Sequence, residues 1–101
     1  GPLAVTGFRT VPSRATGGVT VRFSTTKDAT ATAVVTTVTG KVISNALGVT
    51  RAASGGDVTM HWDGKAADGS AVPAGPYRLE IKVVGGDNEQ VVVQRMVQVV
   101  R

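Results

Sequence analysis

Cysteine is absent from all 101 residues, so no disulfide can staple the chain and no thiolate can hold a metal ion. Aromatic residues are almost as scarce: two Phe, one Trp and one Tyr. The eleven Lys and Arg are scattered from Arg9 to Arg101 without forming a run. Nucleic-acid binding calls for a clustered basic footprint, with aromatic platforms where single strands are bound. The net charge of +4 therefore reads as a solubilising charge, and no nucleic-acid partner is expected. No apolar run approaches the roughly 20 residues of a spanning helix, so no membrane insertion is expected. Leu (3) and Glu (2) are rare, and there is a single His.

What remains is rich in β-branched residues. Val (19), Thr (13) and Ile (2) make up a third of the chain. Such side chains are stiff at χ1, lose freedom in a helix and suit a pleated surface, so the fold class is all-β. A chain of this length fits one domain whose core can hold without disulfides or a structural metal. Gly1-Pro2 resembles the scar left by a tag-removing protease and is set aside, leaving residues 3–101 as a single domain. On that expectation the missing signal peptide carries no information.

Hydrophobic alternation marks the strands. After a Gly17-Gly18 turn, Val19, Val21 and Phe23 face one side and Thr20, Arg22 and Ser24 the other. Beyond Lys27-Asp28, Ala31, Ala33 and Val35 form an inner face whose small side chains suit close sheet packing. Thr39-Gly40-Lys41 reads as a hairpin turn leading to Val42 and Ile43. Asn45 to Ser54 has no clear period and is expected to be loop or edge. Val58, Met60 and Trp62 share a face, with Thr59 and His61 opposite. Tyr77, Leu79, Ile81 and Val83 alternate with Arg78, Glu80 and Lys82. A Gly85-Gly86-Asp87-Asn88 hairpin then leads into a last strand, Gln90 to Val100. Arg95 breaks the Val91, Val93, Val97, Val99 face, so either a bulge shifts the register or Arg95 lies where the strand leaves the core. With a first strand around Leu3 to Thr10, about seven short strands result, the pattern of a β-sandwich. No internal repeat divides the chain.

Candidate chemistry concentrates in HWDGKAADGSAVPAGPY, residues 61–77, which holds the only His, Trp and Tyr. A catalytic triad would have to use His61, whose parity turns it away from Met60 and Trp62, so a surface histidine is the better reading. Asp57, Asp63 and Asp68 suggest calcium, but Lys65 and Ala67 stand where a calcium loop needs oxygen ligands, and Glu is absent nearby. Asp side chains in Asx-turns followed by Gly explain the same residues, so no metal and no cofactor are expected. Thr30, Thr32, Thr36, Thr37 and Thr39 would suit a threonine array, but Val34 interrupts it and an ordinary solvent face suffices. No N-x-S/T sequon is present. Trp62 would serve a carbohydrate platform only if exposed, and its parity places it in the core. Gly17-Gly18 and Gly85-Gly86 open no helix and are hairpin punctuation rather than phosphate loops.

Trp62-Asp63-Gly64-Lys65, Asp68-Gly69, then Val72-Pro73-Ala74-Gly75 and Tyr77 resemble the signature of FlgD-like immunoglobulin-like domains. There a strand ends in W-D-G, a polar turn carries D-G, and P-x-G-x-Y opens the next strand. Val19 to Thr26, Thr39-Gly40-Lys41-Val42-Ile43 and Arg95-Met96-Val97 fall in the family's order, so the resemblance covers about residues 18–100. It implies an immunoglobulin-like or fibronectin type III-like sandwich in which Trp62 caps the core. Asp63, Gly64, Asp68 and Gly69 turn the chain, and Pro73 and Gly75 set the bend delivering Tyr77. Pro76 departs from the family's usual β-former, so pairing is expected to begin at Tyr77 or to run along an edge. The resemblance further implies a non-catalytic accessory module, a spacer or docking domain of an exported or cell-surface bacterial protein; the alternative is a structural domain of a flagellar hook-capping protein. Partners would be proteins or neighbouring domains, with the isolated domain a monomer.

Overall fold

The computed structural model describes residues 1–13, 15, 17–44 and 48–101. Among these residues eight strands make up two sheets: β1 Val5–Pro12, β2 Val19–Thr25, β3 Ala29–Thr36, β4 Val42–Ser44, β5 Val49–Ala52, β6 Asp57–Trp62, β7 Gly75–Gly85 and β8 Gln90–Val99. One sheet has the order β1-β2-β6; the other runs β4-β3-β7-β8, with β5 also paired to β3. Every pairing is antiparallel. This is the β-sandwich expected from the alternation, with one strand more than the sequence pattern marks.

The inward faces are those the alternation picks out. Val19, Val21 and Phe23 of β2, Ala31, Ala33 and Val35 of β3, Val58, Met60 and Trp62 of β6, and Tyr77, Leu79, Ile81 and Val83 of β7 are all buried. They form the hydrophobic core between the sheets, joined by Leu3, Ala52, Val72, Val97 and Val99. The alanines of β3 fit an interior strand: β3 pairs with β5 and β7 at once, and Ala31 and Ala33 are fully enclosed on its core face, where small side chains let the sheets approach closely.

The irregular stretch after β4 resolves into an edge. Val49–Ala52 pairs with Ala29–Thr32 of β3, while Val42 and Ser44 pair with Thr36 and Val35 further along the same strand. One side of β3 is thus covered by two short strands instead of one long one. Asn45, Ala46 and Leu47 lie outside the described residues.

The ambiguity at Arg95 is also settled. The β7–β8 ladder runs from Val84↔Gln90 to Gly75↔Val99 without a register shift, so no bulge intervenes. Arg95 keeps the inner parity but stands at the open seam between β8 and β1. Its guanidinium lies 5.1 Å from the centroid of the Phe8 ring, and Phe8 stacks on Phe23 at 6.0 Å. A long side chain with an apolar stem and a cationic head can cover a core aromatic and still reach water.

Pro76 sits at Gln98 in that ladder, two residues before β3 joins β7 at Thr36↔Arg78. Among the described residues β7 has only one neighbour beside it, so the missing N–H faces a side with no described strand to receive it. Pairing along an edge is the arrangement realised.

Candidate functional site

β6 ends at Trp62 and β7 begins at Gly75. The residues between form a compact corner over one end of the sandwich. Trp62 is 3% exposed, and its indole Nε1–H donates to the Lys65 carbonyl at 2.9 Å. Tyr77 enters the core from the other side of the corner, 8% exposed, its hydroxyl donating to the Pro73 carbonyl at 2.7 Å. The two rings meet edge to face at 5.7 Å. Each aromatic therefore buries its body while its polar tip ties down the backbone of the corner it borders.

Between them the chain forms a small hairpin of its own. Lys65 and Ala71 form an isolated antiparallel bridge, Val72 N–H donates to Gly64 O, Ala66 N–H to Ser70 O, and Gly69 N–H to Ala66 O. The carboxylates serve this hairpin. Asp63 Oδ1 accepts from the Lys65 N–H at 3.0 Å; Asp68 Oδ1 accepts from the Ser70 N–H at 2.9 Å and from the Ser70 hydroxyl at 2.6 Å. These are the Asx-turns expected from the Asp-Gly pairs. The Ser70 hydroxyl, followed by the Ser70 N–H, holds the Asp68 carboxyl below its ordinary value. The tip is anchored to the second sheet by Ala67 N–H donating to Ile43 O.

Two contributors to the corner lie outside the stretch 61–77 that the sequence singles out. The first is Gly17-Gly18, whose backbone lies flush against the corner. A Cβ on Gly18 would stand 2.1 Å from the Trp62 carbonyl oxygen, and one on Gly64 2.5 Å from Gly17 O, with Gly64 at φ 75°. Hairpin punctuation accounts for only part of this doublet, because two backbone segments approach here too closely for any side chain. The second is Arg101. Its Nε–H donates to Val72 O at 2.7 Å and its Nη2 to Gly64 O at 3.0 Å, so the last residue latches the corner hairpin across its mouth. The doublet before a strand is a weak signal for the first; nothing local marks the second.

The remaining candidates lie elsewhere. His61 is exposed on the outer face of β6, its Nδ1 3.0 Å from Thr20 Oγ1 on β2. Asp57 is exposed at the other end of β6, 3.5 Å from the Ser24 hydroxyl that donates to it. The corner, His61 and Asp57 do not converge on a common point. An open depression of about 450 Å³ borders Asp28–Thr30, Arg51–Ala53 and Val84–Gly86, and contains none of these groups. Its Asp28 Oδ1 accepts from the Ser54 N–H at 2.8 Å. At the opposite end from the corner, Lys27 Nζ donates to Glu89, and Glu89 also accepts from the Leu3 N–H at 2.9 Å. Thr26 Oγ1 accepts from the Ala4 N–H and donates to Pro2 O, which seats the first residues against the sandwich.

Among solved structures, the dimeric latent PorU from Porphyromonas gingivalis matches with a TM-score of 0.74 at 16% sequence identity. The match covers 100% of this chain and 10% of that one, and at this identity it speaks for the fold. No curated protein matches. The model of the FlgD Ig-like domain matches residues 9–87, from β1 through the corner and β7 into the last hairpin. With its two-sheet sandwich and its W-D-G to P-A-G-x-Y corner, the chain belongs to the FlgD Ig-like domain family.

Proposed function

We propose that this structural Ig-like module is non-catalytic and serves as a spacer or docking domain in an exported or cell-surface bacterial protein. One observation carries the reading. In the corner the Trp62 N–H, the Tyr77 hydroxyl, the Asp63 and Asp68 carboxylates and the Arg101 guanidinium are each engaged with main chain or with a neighbouring turn residue. A site that works on a substrate keeps polar groups pointed at an open position. Here they brace a fold.

The test is a module swap in the parent protein, with residues 3–101 replaced by an unrelated β-sandwich matching the domain's long dimension of 41 Å. A spacer is replaceable, so the parent keeps its function; a docking domain is not, and function is lost although the parent is still made. Protease added to intact cells should cut the parent in either case. Protection of the parent inside the cell, or a hydrolytic activity of the isolated domain that His61→Ala removes, would overturn the proposal. A hook-capping role is the second reading, favoured by the family match; there the swap would leave cells without hooks.

A further inference from the structure

The four edges of the two sheets differ in how they are guarded. β1 breaks its register between Thr6 and Arg9 and ends at Pro12. β6 is six residues long and carries Asp57 at one end. The outer side of β3 is divided between β4 and β5. Bulges, proline, charge and short strands are the usual means of keeping an edge from pairing with another chain. β8 has none of them apart from a single charge: ten residues from Gln90 to Val99, with no proline, no glycine and an unbroken register. Among the described residues no strand pairs with its far side.

The phase of the ladder shows which groups the edge offers. The hairpin closes with Gly85 N–H donating to Glu89 O at 2.8 Å. Antiparallel pairs alternate between hydrogen-bonded and non-bonded, so Val91, Val93, Arg95, Val97 and Val99 turn their backbone groups toward β7. Val92, Gln94, Met96 and Gln98 turn theirs to the free side, while the side chains of Val92 and Met96, 46% and 52% exposed, stand on the outer face of the sheet. Pro76, opposite Gln98, obeys the same phase from the other strand.

Arg95 then states what should dock. Among the described residues the ion pair is Lys27 with Glu89, and Arg95 has no carboxylate. Its Nη1 donates to Gln94 O at 3.0 Å, a carbonyl of the free edge, which sets the cation on the line an added strand would occupy. A strand paired there would meet Arg95 at a non-hydrogen-bonded position, where facing side chains are closest. A second copy of β8 meets this poorly, because Gln90 to Val99 contains no acid and a two-fold axis at Arg95 would oppose like charges.

We propose that the free edge of β8 receives an extended segment of another polypeptide, which adds as a strand with a carboxylate facing Arg95 and apolar side chains two residues to either side, facing Val93 and Val97. Main-chain bonds to Val92, Gln94, Met96 and Gln98 supply the attachment, and the acidic residue fixes the register. The segment's main-chain N–H replaces the Arg95 guanidinium on Gln94 O, freeing the cation for the carboxylate. The inference deepens the docking form of the proposed function and rests on it.

The test titrates the 101-residue chain with the peptide Thr-Val-Thr-Glu-Thr-Val-Thr, followed by amide NMR and hydrogen exchange. Shifts and slowed exchange are expected at Val92, Gln94, Met96 and Gln98. A peptide with Lys for Glu should bind roughly tenfold more weakly. Met96→Pro removes an edge donor without touching the β7 ladder and should abolish binding while Trp62 emission is unchanged. Arg95→Glu should reverse the preference in favour of the Lys peptide, which keeps the test decisive if the proline variant fails to fold. No shift at millimolar peptide, shifts confined to other strands, equal binding of the two peptides, or sedimentation showing the chain paired with itself through β8 would each overturn the proposal. A plain spacer fails this titration and still passes the module swap, so the two failures are distinguishable.

Discussion

Replacing Trp62 by alanine removes the largest side chain of the corner and tests whether the corner is part of the core. The indole is 3% exposed, so nearly all of its surface is withdrawn from water. An aromatic of this kind buries roughly 150–250 Å², and the part lost on truncation to a methyl group is worth about 4 kcal/mol at about 25 cal/mol per Å². The edge-to-face contact with Tyr77 adds about 0.5–1.5 kcal/mol. The Lys65 carbonyl, on an exposed residue, regains a water in place of the indole N–H, so that bond contributes little to the difference. The expected loss is about 4.5–5.5 kcal/mol against a typical total of about 5–15, which leaves a marginal fold. For a domain of this size each kcal/mol moves the midpoint by about 4–8 °C, so Tm should fall by about 18–44 °C. Trp62→Phe, which keeps the ring against Tyr77, should lose about 1–2 kcal/mol. Because Trp62 is the only tryptophan, the assay is urea and thermal unfolding followed by far-UV circular dichroism. A Trp62→Ala variant unfolding within about 5 °C of the parent would refute the reasoning, since nothing buried in a shared core leaves so cheaply.

Two glycines separate steric from conformational cost. Gly64 and Gly69 both have positive φ, at 75° and 87°, but only Gly64 has backbone against the place a Cβ would take. Gly69→Ala should cost about 1–2 kcal/mol, and Gly64→Ala about 1–3 kcal/mol more, read from urea midpoints. At the far end, the hydrogen bond from Lys27 first, then the Leu3 N–H, holds the Glu89 carboxyl below its ordinary 4.5, while the same bond to Glu89 raises Lys27 above its ordinary 10.5. A depressed carboxyl stabilises above its unfolded pKa and loses the gain as pH falls through the folded value; a raised amine stabilises below its unfolded pKa and loses the gain as pH rises through the folded one. The Tm difference between the parent and Glu89→Gln should therefore be largest at neutral pH, shrink as pH drops below 4.5 and shrink again above 10.5. Asp63 and Asp68 are bonded to the Lys65 and Ser70 N–H groups, so thermal midpoints with chelator and with millimolar calcium should coincide; a calcium-dependent rise would mean that the ion binds the folded state.

What the sequence determined by itself is local and periodic. Side chains on a strand alternate by geometry, so Val58, Met60 and Trp62 had to share a face and His61 had to oppose them once that segment was a strand. Asp-Gly pairs carry their turn chemistry within two or three residues, which made the Asx-turns at Asp63 and Asp68 legible before any fold was known. The Trp62 to Tyr77 block is contiguous, and its position as a corner was legible for the same reason. Tertiary structure decided whatever depends on which distant segments meet. The periodic signal was weak over Val49–Ala52, a half-exposed stretch that is a strand only because β3 lies beside it. Gly18 must be glycine because Trp62 passes 44 residues later, and Arg101 latches Gly64 and Val72 from the far end of the chain. Arg95 broke a valine face in the sequence; only the seam between two sheets, with Phe8 from β1 beneath the guanidinium, makes room for a charge at that parity. Local preference acts along the chain, whereas close approach, latching and the ends of sheets are properties of the space between segments, which no single stretch of sequence encodes.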